Sequence, residues 1–124
     1  MFRVDTNYIV RYLVNDNIEM ADIAEEILTT KNVFIANEIL AEVVYVLLGV
    51  YEIPKEEIAD QLFDLIDFEN ISVSDHVVVQ KALEIFKTQS LDFVDCLLCA
   101  HSVQDEIATF DKKLTRCIQG QAEE

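Results

Sequence analysis

The sequence predicts an α/β protein, a three-layer α/β/α sandwich with a central parallel sheet. Short apolar segments alternate along the chain with longer segments of helical periodicity. Strands that are mostly apolar, rather than apolar at every second residue, are typical of a parallel sheet covered by helices on both faces. The chain has 124 residues, of which 52% are hydrophobic, so one domain can bury an adequate core. We therefore expect a single domain over residues 1–118 and a polar tail over residues 119–124.

Four short segments are predicted as strands, the first two of them buried, and seven segments as helices. The strands cover residues 2–4, 33–36, 71–73 and 107–109. The helices cover residues 6–13, 18–30, 37–49, 54–66, 75–88 and 90–103, and a short final helix opens at Asp111. Thr6 or Asn7 is predicted to cap the first helix and Asn37 the third, because short polar side chains accept bonds from free backbone amides. Pro54 suits the first turn of a helix.

The formal charge of −15 argues against a nucleic acid partner, because phosphate binding normally requires a basic surface. The nine basic residues are not evenly spread, however. Four of them lie close to acidic motifs and are the expected contacts to any nucleic acid: Arg11, Lys112, Lys113 and Arg116. An acidic surface also suits a basic protein partner.

Three cysteines and no apparent secretory signal predict reduced thiols and a cytoplasmic protein. Cys96 and Cys99 have the spacing of a metal or redox pair, but their neighbours are apolar and favour two buried helical side chains. His76 and His101 lie in no recognisable motif, and both are interpreted as structural or surface residues. No apolar stretch reaches the roughly 18 residues of a membrane helix.

Four carboxylates lie within or beside the apolar runs: Asp5, Glu42, Asp95 and Asp111. Asp5 follows the first predicted strand and Asp111 the fourth. Ligands of such folds bind beyond the carboxyl ends of the strands, so both are expected at one edge of the sheet. Glu42 and Asp95 lie inside apolar helices, where the polar face of an amphipathic helix is an equally good interpretation. Asp92 favours the helix dipole or is a further member of the site.

Carboxylates brought together in this way are strongly unfavourable without cations or raised pKa values. Two of them about 5 Å apart repel by roughly 3 kcal/mol at an effective dielectric of about 20. Oxygen ligands prefer hard ions such as Mg²⁺ and Mn²⁺. Such ions activate water and neutralise charge on a transferring phosphoryl group. The acidic residues therefore indicate a metal site suited to phosphodiester cleavage.

The same residues carry a resemblance to a known family. Four segments, in order, resemble the motifs of PIN-domain proteins, and most of all VapC-type ribonuclease toxins of toxin–antitoxin pairs. They are Val4-Asp5-Thr6-Asn7, Ala41-Glu42-Val43-Val44, Phe93-Val94-Asp95-Cys96 and Thr109-Phe110-Asp111. Each motif is weak alone, but four in order over nearly the whole chain are specific.

The resemblance implies a metal-dependent ribonuclease. Its catalytic and metal-binding residues would be Asp5, Glu42, Asp95 and Asp111, with one or two Mg²⁺ or Mn²⁺ ions as cofactor. Asn7 and Thr109 would support the site by hydrogen bonding, with Asp92 as an additional acid. The resemblance also implies RNA as substrate, a homodimer, and inhibition by a small antitoxin protein.

Two other classes of function compete with this interpretation. A phosphoacceptor receiver domain is also a small acidic α/β fold, but it needs an early acidic pair and an aspartate after the third strand. This chain has Val73-Ser74 there instead. A catalytically silent PIN-fold module would keep the fold for RNA or protein binding without holding metal.

Overall fold

The computed structural model describes residues 1–123. These residues form three strands, β1 (Phe2–Arg3), β2 (Val33–Ile35) and β3 (Ile71–Val73). They also form seven helices: α1 (Thr6–Val14), α2 (Ile18–Thr30), α3 (Asn37–Gly49), α4 (Lys55–Ile66), α5 (His76–Thr88), α6 (Phe93–His101) and α7 (Lys112–Ala122). The predicted α/β class is confirmed.

The strands form one sheet in the order β1-β2-β3, and both neighbouring pairs are parallel. Phe2 is aligned with Val33, and Val33 in turn with Ile71. In the central strand β2, Val33 and Ile35 are fully buried. The parallel pairing agrees with the prediction, and it follows from the helices that connect each strand to the next.

The first strand is not buried as predicted. Both residues of β1 are exposed, and the Phe2 side chain keeps 46% of its surface accessible. Among the described residues β1 pairs only with β2, so it is an edge strand. The Arg3 guanidinium lies 4.6 Å from the centre of the Phe34 ring, which is a cation–π contact across the two strands.

The predicted strand at residues 107–109 is absent from the described structure, where these residues have no regular conformation. The Thr109 hydroxyl oxygen accepts a hydrogen bond from the backbone amide of Asp111 at 3.0 Å. Local bonds of this kind compete with a strand ladder. The apolar residues Ile107 and Ala108 favour a strand, but the hydroxyl of Thr109 favours the local bond.

The described chain divides into two compact units, Met1–His76 and a second that begins at Val77. In the first unit α1 packs against α2 and α3, and α3 packs against α4. The core of this unit comes from residues with no accessible surface, including Ile9, Leu28, Leu40, Leu47 and Leu62. The helical periodicity of the sequence predicts these positions.

Asn70 joins the end of α2 to the loop before β3. Its side-chain amide donates to the carbonyl oxygens of Leu28 and Lys31, at 2.7 and 2.8 Å. The last carbonyls of a helix have no partner within the helix, so Asn70 satisfies groups that would otherwise need water.

In the second unit α6 packs against α7, and a disulfide joins Cys99 to Cys117 across the two helices. The prediction of reduced thiols is therefore wrong for these two cysteines, while Cys96 is a buried thiol outside the disulfide. The Cα atoms of the pair are 6.1 Å apart, within the range of protein disulfides. Their separation of 18 residues gives no sign in the sequence that the helices meet here.

Residues 119–122, predicted as part of a polar tail, continue α7. The end of that tail, residue 124, lies outside the described residues. None of the helices in residues 1–123 is both long and apolar enough to cross a membrane.

Candidate functional site

Asp5 occupies the position directly after β1, at the carboxyl edge of the sheet. It is the N-cap of α1, and its Oδ1 accepts a hydrogen bond from the Tyr8 amide at 3.0 Å. The predicted caps, Thr6 and Asn7, do not have this role. Asp5 is exposed, and its other carboxylate oxygen accepts no hydrogen bond from residues 1–123. The cap therefore orients the carboxylate and leaves one oxygen available to a ligand.

Glu42 belongs to the same unit as Asp5 and is exposed on α3. Since α3 begins directly after β2, and β2 is parallel to β1, the N-termini of α1 and α3 lie at the same edge of the sheet. Glu42 is five residues beyond Asn37, or about 7.5 Å along the helix axis. Its neighbours Val43 and Val44 are buried, so it lies on the polar face of an amphipathic helix.

Two buried oxygens at this edge have no partner in the described structure. They are the Thr6 hydroxyl oxygen, at the start of α1, and the Asn37 side-chain oxygen, at the start of α3. Asn37 does not cap its helix as predicted, because the N-cap is Ala36 and no side-chain bond is made there. A buried polar atom without a partner costs about 1–3 kcal/mol, so both oxygens favour a bound water or ion nearby.

Thr6 was missed as a site residue by the sequence reasoning, which treated it only as a possible helix cap. Its side chain is 8% exposed, unlike its neighbours Asp5 and Asn7, which are exposed. The signal that could have identified it is its place between two short polar residues directly after an apolar strand. Asn7, predicted as a supporting residue, lines a cavity of about 250 Å³ beside Asp5.

Three carboxylates interact electrostatically in the second unit. The pKa of Asp95 is raised by partial burial, then by the negative charges of Asp92 and Asp111. Both effects disfavour the ionised form of Asp95. A cation among these side chains would reverse the second effect, because it favours ionised carboxylates.

Helix caps fix the positions of two of these acids. Asp92 is the N-cap of α6, and its Oδ1 accepts from the Asp95 amide at 2.9 Å. Asp111 is the N-cap of α7, and its Oδ1 accepts from the Leu114 amide at 2.8 Å. Asp92 therefore lies at the start of α6, where its charge favours the helix dipole, and that charge also acts on Asp95; its membership of the site stays a prediction. Thr109 holds the Asp111 backbone through its hydroxyl oxygen.

The predicted RNA-binding cations have different surroundings. The Arg11 guanidinium donates to Asp16 at 2.7 Å and lies 3.5 Å from the Tyr51 hydroxyl oxygen. This hydrogen bond lowers the pKa of Asp16. The other three are exposed on the first two turns of α7, directly after Asp111: Lys112, Lys113 and Arg116.

The candidate metal ligands are thus described as two sets. Asp5 and Glu42 lie in the first unit, and Asp92, Asp95 and Asp111 lie in the second. Within residues 1–123, no three His, Cys, Asp or Glu side chains are grouped closely enough to hold a metal ion. The donor chemistry itself fits a hard divalent cation, because every candidate ligand is an oxygen and two further buried oxygens lack partners.

The structure thus combines a parallel α/β sheet with carboxylates at the starts of its helices, and ligands of such sheets bind at the carboxyl ends of the strands. The family model of the PIN domain matches residues 3–117. The chain belongs to the PIN-domain family. PIN domains are generally nucleases, typically use divalent metals and bind RNA. Searches of curated proteins and of solved structures found no match.

Proposed function

We propose that the chain is a metal-dependent ribonuclease that hydrolyses RNA phosphodiester bonds, with Mg²⁺ or Mn²⁺ as cofactor. Asp5, Glu42, Asp95 and Asp111 are the proposed catalytic and metal-binding residues. The observation that carries the proposal is the electrostatic contact of Asp95 with Asp92 and Asp111, in a chain of a nuclease family. Repulsion among carboxylates is a cost that a bound cation removes.

The helix caps supply the positional precision that such a site needs. Asp5 and Asp111 each accept a hydrogen bond from a backbone amide with one carboxylate oxygen, at 3.0 and 2.8 Å. Each therefore holds a fixed orientation and keeps a second oxygen for a ligand. Thr109 is a positioning residue in this proposal, because its hydroxyl fixes the backbone of Asp111. Asn7 and Thr6 supply neutral oxygens beside Asp5.

A divalent ion bound to these carboxylates would activate water and neutralise charge on the phosphoryl group. The chain's own cations have a separate role, which is to attract the RNA backbone. Lys112, Lys113 and Arg116 are suited to it because they are exposed and follow Asp111 directly. Arg11 requires exchange of its partner Asp16 for a phosphate. With a formal charge of −15, local cations must offset general repulsion of RNA.

The proposal extends to the biological role implied by the resemblance to VapC-type proteins. In it, the chain is the toxin of a toxin–antitoxin pair and acts in the cytoplasm as a homodimer. A small antitoxin protein inhibits it. Expression should arrest growth, and co-expression of the product of an adjacent gene should restore it. Light scattering of the purified protein tests the dimer separately.

Cleavage of single-stranded RNA with Mn²⁺ or Mg²⁺ tests the activity. Asp5→Asn and Asp95→Asn should each lower the rate on the order of 100-fold or more, because metal ligation contributes several kcal/mol to catalysis. Asp22→Asn and Asp105→Asn are matched controls, since both residues are exposed acids outside the proposed site. Cleavage that persists in excess chelator, or in both site variants, would contradict the proposal.

The second candidate is a catalytically silent PIN-fold module that binds RNA or a protein. The observation that favours it is the charge of −15, which suits a basic protein partner better than RNA. Calorimetric titration with Mn²⁺ separates the two functions. Binding that Asp95→Asn weakens supports the nuclease, whereas no heat at millimolar metal supports the silent module.

A further inference from the structure

A basic cavity in the second unit lies between the α5–α6 connection and α7. Its volume is about 340 Å³, at the lower end of the range for ligand sites. Ser90 and Gln89 line it from the connection, and Lys113 and Arg116 line it from the helix. All its lining residues come from the unit that begins at Val77.

The charge of the cavity is opposite to that of the protein as a whole. Two cations line it and no carboxylate does, in a chain with 24 acidic and 9 basic residues. Lys113 and Arg116 are exposed, and neither forms an ion pair or hydrogen bond within residues 1–123. Their charges are therefore available to an external anion.

The positions of the two cations explain why they share the cavity. Lys113 and Arg116 are three residues apart on α7, so they lie on one face of the helix. Lys112 is exposed on the same turn but does not line the cavity. Gly120, one turn beyond Arg116, also lines the cavity, so the cavity wall formed by α7 has no side chain at this position. Ser90 adds a hydroxyl that can donate to an anion.

We propose that this cavity binds a backbone phosphate of single-stranded RNA and that Lys113 and Arg116 hold it, whereas Lys112, outside the cavity, contributes only general attraction to RNA. The inference rests on the proposed ribonuclease function and deepens it, since it names a substrate subsite distinct from the acidic residues. Arginine and lysine supply the donors that phosphate oxygens accept. The cavity is on the same helix that Asp111 caps, so it is tied to one proposed catalytic residue.

Fluorescence anisotropy with a labelled single-stranded RNA, in EDTA so that nothing is cleaved, tests the subsite. The double variant Lys113→Gln/Arg116→Gln should bind RNA at least about tenfold more weakly than Lys112→Gln, since charge-assisted hydrogen bonds to phosphate are lost. Loss of this one phosphate contact should also reduce the salt slope by about 0.7, so the affinity ratio between wild type and variant should fall about 2.6-fold from 50 to 200 mM salt.

A second pair of variants leaves the basic residues intact. Gly120→Glu places a carboxylate at the cavity wall, and Gly49→Glu places the same charge on α3. A Cβ atom would meet no heavy atom within 4 Å at either position, so both proteins should fold. Gly120→Glu should weaken RNA binding several-fold more than Gly49→Glu. Circular dichroism of each variant checks its folding.

The outcomes separate the subsite from the nuclease. If Lys112→Gln weakens binding as much as the double variant Lys113→Gln/Arg116→Gln does, or if wild type binds no RNA, the inference is overturned. If the double variant loses binding of inorganic phosphate but not of RNA, the cavity is a free-anion site and the RNA assignment is wrong. If wild type binds RNA through the cavity but cleaves none with Mn²⁺, the subsite stands and the proposed nuclease function fails.

Discussion

The disulfide between Cys99 and Cys117 makes a strong prediction, because the sequence alone predicts reduced thiols. Cys117→Ser removes the cross-link between α6 and α7. For a separation of 18 residues, the loss of loop-closure entropy in the unfolded chain corresponds to about 3 kcal/mol at 25 °C. A chain of 124 residues has an unfolding entropy of about 260 cal/mol/K, so the melting temperature should fall by about 12 °C.

Thermal unfolding followed by circular dichroism measures this effect. Wild type should melt about 12 °C higher in oxidising buffer than in dithiothreitol, whereas Cys117→Ser should melt at the same temperature in both. Cys96→Ala is the matched control. It removes the buried thiol that is not part of the disulfide, so it should lower the melting temperature in both buffers but keep the dependence on dithiothreitol.

Thiol counting provides the decisive check. Oxidised wild type should show one reactive thiol in denaturant, from Cys96, and oxidised Cys96→Ala should show none. Three thiols in protein purified without reductant, together with a melting temperature insensitive to dithiothreitol, would refute the structural reasoning and restore the original prediction. The result also bears on function, because α6 carries Asp95 and Asp111 caps α7.

Two further predictions concern stability. Asp95→Asn should raise the melting temperature at pH 7 in EDTA, because the raised pKa of Asp95 means that its ionised form destabilises the folded state. That penalty develops as the pH rises from about 3.9, the ordinary pKa of aspartate, through the raised pKa of Asp95. The difference in melting temperature between Asp95→Asn and wild type should therefore disappear on acidification. A difference that does not change with pH would contradict this reasoning. Asn70→Ala should lower the free energy of unfolding in urea by about 2 kcal/mol, since two hydrogen bonds to the end of α2 are lost. Asn32→Ala, an exposed neighbour, should change it little, and equal losses in both would remove that explanation.

Local patterns in the sequence were sufficient for most of the fold. The boundaries of α2 are those predicted and α3 ends at Gly49 as predicted, because apolar periodicity acts within a few residues of chain. The start of α3 differs, since Asn37 is its first residue and not its cap. The parallel sheet also follows, since its first three strands are joined by helical segments. The order of the acidic motifs was enough to indicate the PIN-domain family, whose model matches residues 3–117.

Tertiary structure decided what depends on contacts between distant segments. The pairing of Cys99 with Cys117 requires α6 to pack on α7, which no local pattern encodes. The exposure of β1 depends on its place at the edge of the sheet. The burial of Thr6 depends on the three-dimensional surroundings of the first turn of α1. The negative charges that act on Asp95 likewise belong to Asp111, sixteen residues away, and to Asp92, the N-cap of α6.

The sequence by itself determined which acids this protein has and in what order. Side-chain type and spacing are fixed by the chain, and they suffice to assign the family. The structure decided how those acids are held: Asp5, Asp92 and Asp111 each cap a helix. A cap depends on which backbone amides are left free where a helix begins, and that is settled only when the chain has folded.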